Sequence, residues 1–204
     1  HMKIAIVDYG MGNIRSIVSA LKYIDVQNII VSSNNQELKQ ADKIILPGVG
    51  SFGKAMQLIQ NKNLDSILNE LVVQRQKPVL GICLGMQLLG MFSDEDGFNQ
   101  GLGFIDGNTD IFDSNNVTVP HVGCNQVIVG NLSRLYQGMG DILDFYFVHS
   151  HKMITNSDIG QSMCDYDKGF IASFEKDNIV GTQFHPELSQ KNGLNVLRNF
   201  VELF

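Results

Sequence analysis

The chain has 204 residues, 44% hydrophobic and 18% charged, with a formal net charge of −6; this fits one globular domain whose core needs no disulfide or metal support and argues against a basic nucleic-acid-binding face. Its three cysteines, Cys83, Cys124 and Cys164, form no C-x-x-C pair, which argues against a disulfide scaffold and a cysteine-rich zinc site and points to a reducing, cytoplasmic setting. No apolar run approaches the roughly 20 residues that span a bilayer, no signal peptide precedes Lys3, and His1-Met2 reads as a tag remnant outside a single domain at 3–204.

Lys3 to Val7 is a short apolar run closed by Asp8-Tyr9-Gly10-Met11-Gly12-Asn13, which reads as a buried strand and a glycine turn. Ile14, Ile17, Val18, Leu21 and Ile24 then recur at helical spacing. Ile29 to Val31 and Lys43 to Leu46 are the next strands, the second ended by Pro47-Gly48-Val49-Gly50. Phe52, Ala55, Met56 and Ile59 mark one helix; Leu64, Ile67, Leu68 and Leu71 mark another. Pro78 to Ile82 is a fourth strand, with Met86, Leu89 and Phe92 facing inward on the helix after Cys83. Strands alternating with helices in this way predict a parallel sheet covered on both faces.

The pattern changes after about residue 97. Gly101 to Phe104, Val117 to Val119, Asn125 to Val129, Phe145 to His149, Phe170 to Phe174 and Ile179 to Phe184 read as strands, separated by turns such as Asp106-Gly107-Asn108 and Lys176-Asp177-Asn178. Few helices intervene, so these strands should be antiparallel or mixed. Leu194, Leu197, Phe200, Val201 and Phe204 form a closing amphipathic helix. The expected class is α/β: a central, mostly parallel sheet flanked by helices, with antiparallel strands added in the C-terminal half.

Gly81-Ile82-Cys83-Leu84-Gly85 has the form G-x-C-x-G between a strand and a helix, the setting of a nucleophile elbow. The flanking glycines permit the sharp turn. The helix start presents free N–H groups and its positive dipole end to the sulfur, and the Leu84 N–H is placed to donate to an oxyanion. Gly48-Val49-Gly50, at a strand's carboxyl end, can approach a ligand and supply a second donor. A cysteine nucleophile needs a base and the base an orienting group. His185-Pro186-Glu187 supplies both if the segment is extended, because alternate side chains then share a side. His149 ends a strand and could touch substrate; His121 and His151 read as structural or exposed. The spacing of His121, Cys124, His149 and His151 matches no metal template, and the chemistry calls for no cofactor.

With these residues in hand, the chain resembles the class I, triad-type glutamine amidotransferases over nearly its whole length, and among them the glutaminase subunits of imidazole glycerol phosphate synthases. The resemblance lies in Val7 to Asn13, Leu46 to Phe52, Leu80 to Leu89, Pro120 to Gly123, Tyr146 to Ser150 and Gly181 to Glu187, in that order. It implies a flavodoxin-like fold and a Cys83-His185-Glu187 triad that hydrolyses glutamine. It implies an oxyanion hole from Gly48, Val49, Gly50 and Leu84, and glutamine held by Gln87, Glu95, His149 and Ser150. It also implies a heterodimer with a separate (β/α)8-barrel synthase subunit, which takes the ammonia in histidine biosynthesis. Tyr9 to Asn13, Cys124, Tyr146 and Leu188 would lie toward that partner. Two positions depart from the family pattern: Cys124 replaces its usual tryptophan and Leu188 its usual lysine. They leave open a paralogue that feeds ammonia to another synthase-like barrel, for example in surface-sugar amidination. Another cysteine hydrolase and a silent binding module are the remaining alternatives.

Overall fold

The computed structural model describes residues 2–131 and 133–204; His1 lies outside the described residues. The first half runs β1 (Lys3–Val7), α1 (Ile14–Tyr23), β2 (Asn28–Ser32), α2 (Asn35–Lys39), β3 (Lys43–Leu46), α3 (Phe52–Asn61), α4 (Leu64–Leu68) with a π-helical continuation (Asn69–Gln74), β4 (Val79–Ile82) and α5 (Leu84–Leu88). The second half runs β5 (Phe92–Ser93), β6 (Asn99–Gln100), β7 (Asn108–Ile111), β8 (His121–Ile128), β9 (Ile142–His149), β10 (His151–Ile154), β11 (Ser162–Cys164), β12 (Phe170–Lys176), β13 (Ile179–Thr182), a 3-10 turn (Pro186–Leu188) and α6 (Gln190–Leu203).

Nine strands form one sheet in the order β2-β1-β3-β4-β13-β12-β11-β8-β9. The first five are parallel and the remaining pairs antiparallel. This is the expected class, with the order 2-1-3-4-5 of a flavodoxin-like sheet in its parallel half. Period-two alternation sends β1 into two cores. Ala5 and Val7 pack with Phe52, Ile59 and Leu71 on one face; Ile4 and Ile6 pack with Ile17, Leu21 and Phe200 on the other. Ser51 starts α3 by accepting from the Lys54 N–H, an N-cap that satisfies one orphan donor. A second sheet, β10-β7-β5-β6, lies beside the first.

Two expected strands are absent and one expected helix is shorter, for one physical reason: their backbone groups are spent elsewhere. The N–H groups of Leu102, Gly103 and Phe104 go to the carbonyls of Leu88, Gly90 and Leu89. That stretch is therefore no strand; it caps the end of α5. The same capping ends the helix before Phe92, which lies in β5 and stacks on Phe98 at 5.2 Å. Val117 closes a turn onto the Asp113 carbonyl, and Thr118 gives its carbonyl to the Tyr166 hydroxyl. Sequence reading missed α2, whose one buried side chain is Leu38.

Phe145 and Phe184 stack at 3.9 Å between β9 and the end of β13, both fully or almost fully buried. Phe184→Ala is expected to cost about 3–5 kcal/mol through lost burial and a residual cavity. Urea unfolding of the two proteins measures it; a loss under about 1 kcal/mol would mean the site collapses around the gap.

Candidate functional site

Cys83 sits between β4 and α5 with φ 55° and ψ −112°, a backbone state that costs on the order of 1–3 kcal/mol and concentrates at functional turns. The flanking glycines make it possible. A Cβ on Gly85 would lie 1.9 Å from the Leu46 carbonyl oxygen, and one on Gly81 2.6 Å from that of Gly85. The Cys83 N–H donates to Thr182 of β13 at 2.7 Å, which ties the elbow to the neighbouring strand.

That strand delivers His185, whose N–H donates to the Tyr146 carbonyl of β9 at 3.0 Å. Ser189 completes the clamp: its hydroxyl donates to the His185 carbonyl at 2.7 Å and accepts from the Tyr146 N–H at 2.9 Å. The His185 Nδ1 meets Glu187 Oε2 at 3.0 Å, with both side chains 1% exposed. The pairing is the expected one, but its geometry differs from the expected extended segment. Glu187 stands on the 3-10 turn, which folds the carboxylate back to the ring. Asn13 approaches the same oxygen at 3.5 Å.

The Nε2 of His185 is buried without a hydrogen-bond partner. Burial alone would push this imidazole's pKa down. The Cys83 thiol and the Glu187 carboxylate outweigh it and push the pKa up to about 10. Glu187 thus holds one ring nitrogen of His185, and the other, Nε2, is the one left to exchange a proton with the sulfur.

The sulfur opens on a cleft of ≈ 400 Å³. Val49, Gly50, Leu84, Gln87 and Glu95 line it. Val148, His149, Ser150 and His151 line it as well, with the Val148 carbonyl 3.7 Å from the sulfur. Gly48 does not line the cleft. It packs where the Tyr9 hydroxyl donates to the Pro47 carbonyl at 2.7 Å. Glu95 accepts from the Phe52 N–H at 3.3 Å, at the start of α3.

Both ring nitrogens of His149 are engaged. Nδ1 faces the His151 carbonyl at 2.8 Å and Nε2 faces His121 Nδ1 at 2.9 Å. A carbonyl only accepts, so His149 Nδ1 carries the hydrogen and its Nε2 accepts from His121. Burial pushes the His149 pKa down to about 3, against the pull of that carbonyl. A glutamine contact through this ring would have to break one of these bonds. His121, expected to be structural or exposed, is buried. Among the described residues, no group of three or more His, Cys, Asp or Glu is placed to hold a metal ion.

Of the residues expected toward a partner, Cys124, Tyr146 and Leu188 come together around a shallow hollow. Cys124 and Tyr146 are cross-strand neighbours, and Leu188 is 42% exposed. Gly10 is exposed and Met11 to Asn13 half-buried. Tyr9 corrects the expectation: it is 0% exposed, and its side chain braces the Pro47–Gly48 segment from within. Sequence reading also missed Gln183. This fully buried residue places its amide nitrogen 3.6 Å from the Cys83 sulfur. Its position in the Gly181 to Glu187 motif was the available signal.

Residues 5–203 match the model of the glutamine amidotransferase class-I family. The chain is 45% identical, over 98% of its length and 94% of the relative's, to "Imidazole glycerol phosphate synthase subunit HisH 2" of Vibrio vulnificus strain YJ016. It is 42% identical, over 98% of its length and all of the relative's, to "Imidazole glycerol phosphate synthase subunit HisH 1" of Campylobacter jejuni strain RM1221. In fold it matches a chain of PurLQS from Thermotoga maritima with a TM-score of 0.74 at 18% identity, covering 98% of this chain and 97% of the other.

His185 has a raised pKa in the folded state, so its ion pair stabilises the fold fully below the ordinary imidazole value of 6.5 and loses that contribution as pH rises toward about 10. The stability lost in Glu187→Gln is therefore expected to be largest near pH 6 and to shrink toward pH 10. Urea unfolding of both proteins at several pH values tests this. A loss independent of pH would mean that His185 is not charged in the folded protein.

Proposed function

We infer function from family: the chain belongs to the class I glutamine amidotransferases. Within it, we propose that the chain is the glutaminase subunit of an imidazole glycerol phosphate synthase. It hydrolyses glutamine to glutamate and ammonia. The ammonia passes to a separate (β/α)8-barrel synthase subunit that makes imidazole glycerol phosphate and aminoimidazole carboxamide ribotide in histidine biosynthesis. Full-length likeness to two subunits of that name supports this reading over a paralogue serving surface-sugar amidination. A cytoplasmic heterodimer is part of the proposal. No helix of the described residues is long and apolar enough to cross a membrane.

The observation that carries the chemistry is the free, buried Nε2 of His185, backed by Glu187, beside a thiol on a strained elbow. In the reacting state the Cys83 proton resides on His185, and the sulfur attacks the side-chain amide carbon of glutamine. The Leu84 N–H and one from Gly48, Val49 or Gly50 hold the oxyanion. The imidazolium, oriented by Glu187, returns its proton to the leaving ammonia. Water then adds to the γ-glutamyl thioester with His185 as base, which releases glutamate and restores the thiol. Gln87, Glu95, Ser150 and the backbone at His149 cradle the glutamine. The synthase docks over Gly10 to Asn13 and the hollow of Cys124, Tyr146 and Leu188.

A glutamine-like diazo- or chloroketone should label Cys83, as mapped by peptide mass spectrometry, and should leave Cys83→Ser unlabelled at that position. Glutamine turnover should be low for the chain alone and rise on mixing with a histidine-pathway synthase barrel. An adduct elsewhere would overturn the nucleophile; the absence of both complex and stimulation would overturn the partner.

A further inference from the structure

Gln183 follows β13 and lies behind the cleft, with its side chain fully buried. Its amide nitrogen faces the Cys83 sulfur at 3.6 Å. An amide can be turned end for end, so the polarity of this contact depends on its neighbours. Those neighbours decide it. The Gln87 amide nitrogen lies 3.1 Å from the His151 carbonyl, which can only accept. That nitrogen gives its second hydrogen to the Gln183 oxygen at 3.0 Å. Gln183 is left with its two N–H groups on the side of the sulfur. The His151 carbonyl is itself pinned by His149 Nδ1 at 2.8 Å.

We propose that Gln183 is a catalytic residue whose side-chain N–H stabilises negative charge on the Cys83 sulfur, and that Gln87 is the positioning residue that keeps this donor turned toward it. The proposal rests on the reading of Cys83 as the nucleophile. A donor that bonds the charged form of a group favours that form, and it does so strongly where water is excluded. Gln183 is not among the residues that line the cleft, so its donor leaves the cleft side of the sulfur to a carbonyl carbon. Gln87 lines the cleft and also holds Gln183, so one side chain connects the substrate wall to the sulfur. An amide that only filled space would leave the protonation of the sulfur unchanged.

The other ionisable groups around Cys83 are His185 and Glu187 after β13, Tyr9 after β1, and Glu95, His149 and His151 on the cleft walls. Substituting Gln183 leaves all of these in place. The test follows the ultraviolet thiolate absorbance of the full chain across pH, with Cys83→Ser as the blank. In Gln183→Met, which keeps the volume but loses the donor, the Cys83 signal should require a proton concentration lower by about 10- to 100-fold, the range of a hydrogen bond to a charged group. Gln87→Met should move it the same way by less, because the amide is then free to turn. If circular dichroism shows that Gln183→Met does not fold, Gln183→Asn decides: its amide is one methylene too short and should give the same displacement. A thiolate titration equal to the parent's in the folded variant overturns the proposal. Failure of the ketone to label Cys83 in the parent would instead overturn the nucleophile reading and leave this comparison intact.

Discussion

A methyl group at residue 85 would lie 1.9 Å from the Leu46 carbonyl oxygen, so α5 starts directly on the end of β3. This closeness sets the rest of the site. It brings Pro47 to Gly50 and the elbow at Cys83 to the same edge of the sheet. The parallel ladder then adds the third part: Leu46 pairs with Gly81, and Gly81 with Gly181, so β13 ends beside the elbow and hands on to His185. The unfavourable φ of Cys83 persists because the strands on either side over-determine it. The Cys83 N–H on Thr182 is one of the bonds that do so.

Two buried histidines near the cleft end up in opposite states for reasons that can be traced. His149 is surrounded by groups that need it neutral: a carbonyl takes its one hydrogen, and His121 donates to its other nitrogen. Asn125 stands 3.2 Å from the far nitrogen of His121, so this row of rings has a fixed direction. His185 has a carboxylate on one nitrogen and nothing but the thiol's neighbourhood on the other. Burial is common to both rings. Partner charge separates them, and only His185 is equipped to move a proton.

The parallel half was legible because its strands are short apolar runs punctuated by glycine and proline, and its helices carry a clear apolar stripe. β3 (Lys43–Leu46) is found at its expected limits. Cys83, His185 and Glu187 were legible because their neighbours in sequence build the turns that hold them. Gly101 to Phe104 was misread because an apolar run does not reveal which acceptors its N–H groups will find; here they are the last carbonyls of α5. Tyr9 was misplaced because sequence does not say which way a residue after a strand will point. Gln183 drew no notice because its partners, Gln87 and Cys83, are 96 and 100 residues away in the chain.

β9 is the last strand of the nine-stranded sheet, and an open strand edge is a template for joining another chain. Four backbone groups along β9 are already engaged from its open side. Asn192 takes the Asp144 carbonyl, His185 and Ser189 take both backbone groups of Tyr146, and the Cys83 sulfur sits 3.7 Å from the Val148 carbonyl. The segment that carries the chemistry is therefore also the cover on the sheet's edge. If that turn loosens, an edge strand is uncovered that can recruit a second copy, so inactivation and loss of solubility follow from the same local opening.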